Sequence, residues 1–164
     1  MENLYIRQMN SASWKKWSRI IMRTMRATLP IETCPTARDI RSIFNEYRHA
    51  GFIATKNGKF AGFAIAFFHS FNEDPEIAAI SDSDIFHLCL FVVEPTFQGR
   101  GIGQALLNRE IAEARKRGAQ HCTSFAREGA SLHNMQKAGG GVIGVRKNFH
   151  NSGETFHIVR FDVA

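Results

Sequence analysis

Between Ile85 and Val93 the chain carries an almost continuous apolar run, IFHLCLFVV, broken only by His87. After Glu94-Pro95 it passes into Gln98-Gly99-Arg100-Gly101-Ile102-Gly103. A run this short and apolar, bounded by a turn signal, reads as a buried strand. Downstream, Gly103, Leu107, Ile111, Ala114 and Gly118 recur at helical spacing, so a helix is expected over about 101–117. Strand, glycine turn and helix in this order make a β-turn-α unit, the most informative segment of the chain. They also leave backbone N–H groups unpaired at the positive end of a helix dipole, where glycines admit a ligand without an intervening Cβ. A phosphate or pyrophosphate is the natural guest.

Spacing narrows the choice of guest. A dinucleotide fingerprint beginning at Gly99 requires glycine at Gln104, and one beginning at Gly101 requires it at Leu106, so both registers fail. The GxxxxGK[ST] phosphate loop fails as well. A turn serving only to join strand to helix tightly remains an alternative, although three glycines at alternate positions exceed what that needs.

The rest of the chain reads as alternating short elements. Leu4 to Met9 is strand-compatible, and the polar cluster Asn10 to Ser13 precedes a helix expected from about Trp14 to Pro30. Trp14, Trp17, Ile21, Met25 and Thr28 share one face of it, opposite Lys15, Lys16, Arg19, Arg23 and Arg26. A solvated outer face is the ordinary meaning of such a charged stripe. Thr36 stands three residues before Asp39, and Ile40, Ile43, Phe44 and Tyr47 recur at helical spacing, predicting a second helix to about Ala50. Gly51–Thr55 and Lys59–Phe71 flank Lys56-Asn57-Gly58, a hairpin signal. Strands are expected over Ala119–Ala126, Val142–Val145 and Thr155–Val163, with a short helix over Ala130–Ala138.

The 164 residues suit one globular domain, 1–164, able to bury roughly 70% of its unfolded surface. Three cysteines, Cys34, Cys89 and Cys122, show no paired spacing, so a reduced, cytoplasmic location is the simplest reading. The N-terminal stretch lacks the apolar core of a signal peptide, and the longest apolar run, Phe60 to Phe68, is too short to cross a bilayer. A soluble, unprocessed protein without a membrane partner is expected. No His, Cys and carboxylate cluster argues for a metal. The net charge of +6 permits an acidic or phosphorylated partner, yet aromatic RNA-binding patterns and zinc spacings are absent from the sequence, which argues against nucleic acid.

Gln98, Gly101 and Gly103 match QxxGxG, and LFVVEPTFQGRGIGQALL resembles the strand, loop, turn and helix that carry this acetyl-CoA signature in the GNAT family of N-acetyltransferases. The order of elements along the whole chain is similar to that family as well. The resemblance implies an α/β fold: a single mixed, mostly antiparallel twisted sheet flanked by helices, with one splayed parallel strand pair. It implies acetyl-CoA as cosubstrate and direct acetyl transfer to an amine. Carried over by position, the backbone of Phe91 and Val93, on either side of Val92, bonds the pantetheine arm. The N–H groups of Gly99, Gly101, Gly103 and Gln104 cradle the pyrophosphate, Arg100 and Ile102 fill the turn, and Asn134 can reach a cofactor carbonyl.

The resemblance places the general base, eleven residues before Gln98, at His87. Imidazole chemistry suits the role, although a histidine satisfied by hydrogen bonds in an apolar strand is an equal alternative. Glu94 and Asp84 flank the strand as substitutes. The tyrosine that often acts as acid in this family is replaced by Met135, leaving water, His133 or Ser131. The acceptor is expected beside the loop Leu29 to Pro35. An acidic segment with Glu73, Asp74, Glu76, Asp82 and Asp84 would favour a cationic amine if it reaches the mouth, and otherwise merely keeps a loop solvated. The acceptor class, a small molecule or a protein or peptide amine, stays open, and a homodimer is compatible with the resemblance. Two other readings stand beside the enzyme: a non-catalytic acetyl-CoA-binding regulatory module, suggested by Met135, and a toxin-like enzyme acetylating charged tRNA, suggested only by the basic charge.

Overall fold

The computed structural model describes residues 3–46, 49–68, 77, 79 and 85–163. Strand β1 (Leu4–Met9) leads into helix α1 (Ser11–Thr28). The helix starts at Ser11 rather than near Trp14 because Asn10, the first residue of the polar cluster, is its cap: the Asn10 side chain accepts from the Ser13 N–H at 2.9 Å. Trp14, Ile21 and Met25 are buried, and the five cations of the opposite face are exposed.

Helix α2 (Ala37–Glu46) opens on a reciprocal box, with the Thr36 N–H donating to Asp39 Oδ2 at 2.7 Å and the Asp39 N–H donating to Thr36 Oγ1 at 3.2 Å. The expectation that this helix reaches Ala50 is corrected. Strand β2 (His49–Lys56) has begun by then, and Ala50 is a buried residue paired with Ala66. Backbone pairing on both sides of β2 overrides the helical spacing that led to Ala50. β2 turns into β3 (Lys59–Phe68) through Asn57 and Gly58, whose φ of 51° and 76° are the left-handed values a tight hairpin demands. There follow β4 (Ile85–Val93), α3 (Ile102–Lys116), β5 (His121–Arg127), α4 (Ala130–Lys137), β6 (Gly141–Arg146) and β7 (Phe156–Asp162).

The strands form one mixed sheet in the order β1-β2-β3-β4-β5-β7-β6, antiparallel throughout except for β4 beside β5. One face packs Phe52, Phe86 and Leu88 against Leu106 and Leu107 of α3 and Met135 of α4. The other packs Phe63 and Ile65 against Ile21, Met25 and Ile40 of α1 and α2. Among the described residues no helix is long and apolar enough to cross a membrane, and no group of His, Cys, Asp and Glu is placed to hold a metal. The acidic residues Glu73, Asp74, Glu76, Asp82 and Asp84 lie outside the described residues. Ile77, in the same connection, is fully buried with Ile85 and Ile158.

Two irregularities in β4 shape everything that follows. The β3–β4 register steps from Ile65 opposite Leu90 to Ala66 opposite Leu88, which leaves Cys89 as a bulge. Side-chain alternation therefore slips: Phe86 and Leu88 pack towards α3, whereas Leu90 and Val92 pack towards α1 and α2. The parallel pairing with β5 also stops early. It joins Ile85–His87 to His121–Thr123, and one further link, Ser124 Oγ donating to the Leu88 carbonyl at 2.8 Å, closes the vertex before the strands part.

Glu110 on α3 is fully buried, and neither carboxyl oxygen has a partner. Desolvation raises its carboxyl well above the ordinary value of 4.5. The folded protein thus holds a proton that the unfolded chain releases, and stability falls as pH rises above 4.5 towards the raised value. The Glu110→Gln variant, which cannot ionise, is expected to overtake the native protein increasingly in urea melts from pH 5 to pH 8. Glu110→Met, which removes the unsatisfied group, is expected to gain about 1–3 kcal/mol at neutral pH.

Candidate functional site

Where β4 and β5 diverge in the middle of the sheet, a cleft of about 880 Å³ opens and runs to the start of α3. Its first wall is the main chain of β4. The Glu94 N–H donates to the Ala61 carbonyl at 3.0 Å on the β3 side. Strand alternation then turns the main-chain groups of Phe91 and Val93 towards the gap and those of Val92 towards β3. Gln98 is tied to this edge, its Nε2 donating to the Val93 carbonyl at 3.2 Å, so the side chain of the motif's first residue anchors the turn to the strand.

The turn forms the next wall. Gly99 and Gly101 have φ of 72° and 75°, a conformation that side chains rarely adopt, and a Cβ on either would meet nothing within 4 Å. Gly101 caps α3 without any side-chain bond, and the first intrahelical bond is made by the Ala105 N–H to the Gly101 carbonyl at 3.0 Å. The N–H groups of Ile102, Gly103 and Gln104 precede that bond and face outward at the positive end of the dipole. Asn134 on α4 approaches Gly103, with its Nδ2 3.5 Å from where a Gly103 Cβ would stand.

All the expected coenzyme residues line the cleft except Arg100, whose guanidinium sits over the Phe97 ring, 5.7 Å from its centroid. Met135 is buried in the α3-side core rather than in the cleft, and Ser131 borders the cleft while His133 does not.

His87 stands at the vertex. It is 4% exposed, its Nδ1 lies 3.1 Å from Thr123 Oγ1, and its ring meets those of Phe67 and Phe125 edge-on at 5.8 and 5.6 Å. Glu94 is not part of the lining. Its carboxylate accepts from Thr24 Oγ1 at 2.5 Å and lies 3.6 Å from the Arg23 guanidinium, which commits it to α1. Cys89, the bulge residue, borders the cleft, and burial, more than the nearby Glu110, pushes its thiol up to about 12. Such a thiol is protonated at neutral pH and is no nucleophile.

At the far end of the cleft Leu29, Thr33 and Pro35 line the space, as expected of the loop Leu29 to Pro35. Facing them are Phe125, Arg127, Phe149 and His150, which sequence reasoning did not name. Phe149 stacks on Phe125 at 4.7 Å and leans on Phe156 at 4.9 Å. This packing, with the Gly153 N–H donating to Asn148 Oδ1 at 2.8 Å, holds a loop in which Asn148, His150 and Asn151 have φ of 51°, 51° and 59°. Arg127 bridges the walls: its Nη2 donates to the Thr28 carbonyl at 2.7 Å, and its Nη1 reaches Glu154 at 3.4 Å. The alternation of Thr123, Phe125 and Arg127 along β5 was the available signal, but which face it served depends on partners distant in the chain.

A search of curated protein sequences returns no significant match. Among solved structures, the chain is similar to the ribosomal-protein-S18-alanine N-acetyltransferase of Escherichia coli, with a TM-score of 0.76 and 22% identity over 99% of this chain and 95% of that one. It is also similar to yncA of Salmonella typhimurium, a putative acetyltransferase solved with its cofactor acetyl-CoA, with a TM-score of 0.73 and 20% identity over 99% and 95% of the two chains. NAA60 of Arabidopsis thaliana in complex with acetyl-CoA gives 0.78 and 14% over 98% and 99%. These likenesses concern the fold. A family-level match carries more weight: residues 14–139, including β4, the glycine turn and α3, fit the acetyltransferase (GNAT) family, and the chain belongs to that family.

Proposed function

We propose that the chain is a single-domain N-acetyltransferase that takes acetyl-CoA into the gap between β4 and β5 and transfers the acetyl group directly to an amine. The observation that carries this reading is the continuity of the gap with the capless start of α3 at a left-handed glycine turn. The edge of Phe91 and Val93 receives the pantetheine as a strand would be received, with Val92 fixing the wall from the core side. The N–H groups of Gly99, Gly101, Gly103 and Gln104 hold the pyrophosphate. Ile102 seats the turn on the core, Gln98 ties it to β4, Arg100 lends charge from outside the cleft, and Asn134 offers its amide from α4.

The thioester supplies an acyl carbonyl. His87 accepts the proton that the attacking amine loses, with its ring oriented by Thr123. His87 is preferred to Glu94, whose carboxylate is engaged by Thr24 and Arg23. As the C–S bond breaks, the departing thiolate takes its proton from water, since Met135 has none to give. The protonated Cys89 favours direct transfer over an acyl-enzyme.

Thiol release from acetyl-CoA across a panel of amines tests this reading. Amine-dependent release is expected. Tight acetyl-CoA binding by calorimetry with no release from any amine would instead favour a regulatory module, the reading that the apolar Met135 supports.

A further inference from the structure

We propose that the amine accepted here carries an anionic group, held by Arg127, at the far end of an apolar body that lies against Phe125 and Phe149. The inference rests on the acetyltransferase reading and specifies its acceptor. Thr123, Phe125 and Arg127 alternate onto one face of β5. Thr123 is hydrogen-bonded to His87, and the Phe125 ring is 5.6 Å from the imidazole, so this face begins at the reacting end. Arg127 lies four residues beyond Thr123, about 13 Å along the strand at ~3.3 Å per residue. Between the two ends the wall is aromatic, with Phe149 stacked on Phe125 at 4.7 Å.

Charge points the same way. Among the described residues that line the cleft, Arg127 is the one permanent charge and none is a carboxylate. A cationic body would meet the guanidinium in a partly dehydrated site, and a neutral one would leave it only the long contact with Glu154 at 3.4 Å. The guanidinium is also held in place. Nη2 is fixed by the Thr28 carbonyl at the negative end of α1, and the Glu154 contact at 3.4 Å is long for a charge-assisted bond and comes from outside the cleft. A planar fork of five N–H donors, with one on the Thr28 carbonyl and one in the long Glu154 contact, keeps further donors for a carboxylate or a similar anion.

The test compares kcat/KM, by thiol release, for matched pairs: 4-(aminomethyl)benzoate against benzylamine and 6-aminohexanoate against hexylamine, with spermidine as the cationic arm. The carboxylates are expected to be preferred at least about tenfold. Arg127→Met is expected to lower their kcat/KM about 10- to 100-fold, chiefly through KM, while leaving benzylamine and hexylamine within about threefold. Arg127→Lys is expected to retain part of the preference, and melting temperatures report whether either variant is unfolded. Equal or faster reaction of benzylamine, hexylamine or spermidine overturns the proposal while leaving the acetyltransferase reading intact. An Arg127→Met variant that loses all amines alike reduces Arg127 to a brace between the walls and overturns it too. No release with any amine takes the acetyltransferase reading down first, and this one with it.

Discussion

Replacing Gly101 with glutamate is expected to abolish measurable acetyl-CoA binding, a loss of more than about 100-fold, while the protein stays folded. The φ of 75° costs an L-residue about 1–2 kcal/mol, and a Cβ there meets nothing within 4 Å, so the fold absorbs the change. The ligand does not. A carboxylate at the cap of α3 competes for the N–H groups of the first turn and repels a pyrophosphate brought to the same dipole end. Gly101→Ala separates the two effects, since it carries the backbone strain without the charge; a loss of about tenfold or less is expected. Calorimetric titration with acetyl-CoA reads both variants, and a thermal melt checks that each is folded. Binding by Gly101→Glu at native strength would place the coenzyme elsewhere.

The second large effect is on turnover. His87→Ala is expected to lower kcat by about 100- to 10,000-fold, the usual worth of a positioned general base, with the affinity for acetyl-CoA kept within about threefold. Because His87 is only 4% exposed, the alanine leaves a cavity, so His87→Gln serves as a volume-conserving companion. Thr123→Val, which removes the hydroxyl 3.1 Å from Nδ1, is expected to show a smaller fall of about 10-fold. Glu94→Gln is expected to leave kcat nearly unchanged, because its carboxylate serves α1. Full turnover in both His87 variants would remove the imidazole from the mechanism and leave proton removal to water.

The sequence made local features legible. The Asn57-Gly58 hairpin, the Thr36 and Asp39 box and the glycine turn at 99–103 each follow from residues within a few positions of one another, where conformational preference decides alone. Features set by pairing across the chain were not legible. No periodicity in Ile85–Val93 announces that Cys89 bulges, because a buried strand is apolar on both faces and a slip in alternation leaves no mark. The overshoot of α2 to Ala50 has a similar cause, since Ala50 suits a helix end as readily as the strand position opposite Ala66 of β3.

The site divides along the same line. The half proposed to hold the coenzyme sits, Asn134 apart, on one contiguous strand, turn and helix, and its residues could be named from spacing and family resemblance. The half proposed for the acceptor is assembled from the end of α1, from the loop Leu29 to Pro35, from β5 and from the loop at Phe149–Asn151. Arg127, 99 positions from Thr28, could not be placed before the fold was known. The expectation of a cationic acceptor rests on acidic residues outside the described ones, and among the described lining residues the permanent charge is the Arg127 guanidinium.

A crystal structure of the acetyl-CoA complex tests the central claim most directly. The pantetheine should lie between β4 and β5 against the main chain of Phe91 and Val93, with the pyrophosphate on the N–H groups at 99–104 and the thioester opening towards His87. Acetyl-CoA bound outside the gap, or a thioester turned away from the His87 face of the sheet, would contradict it.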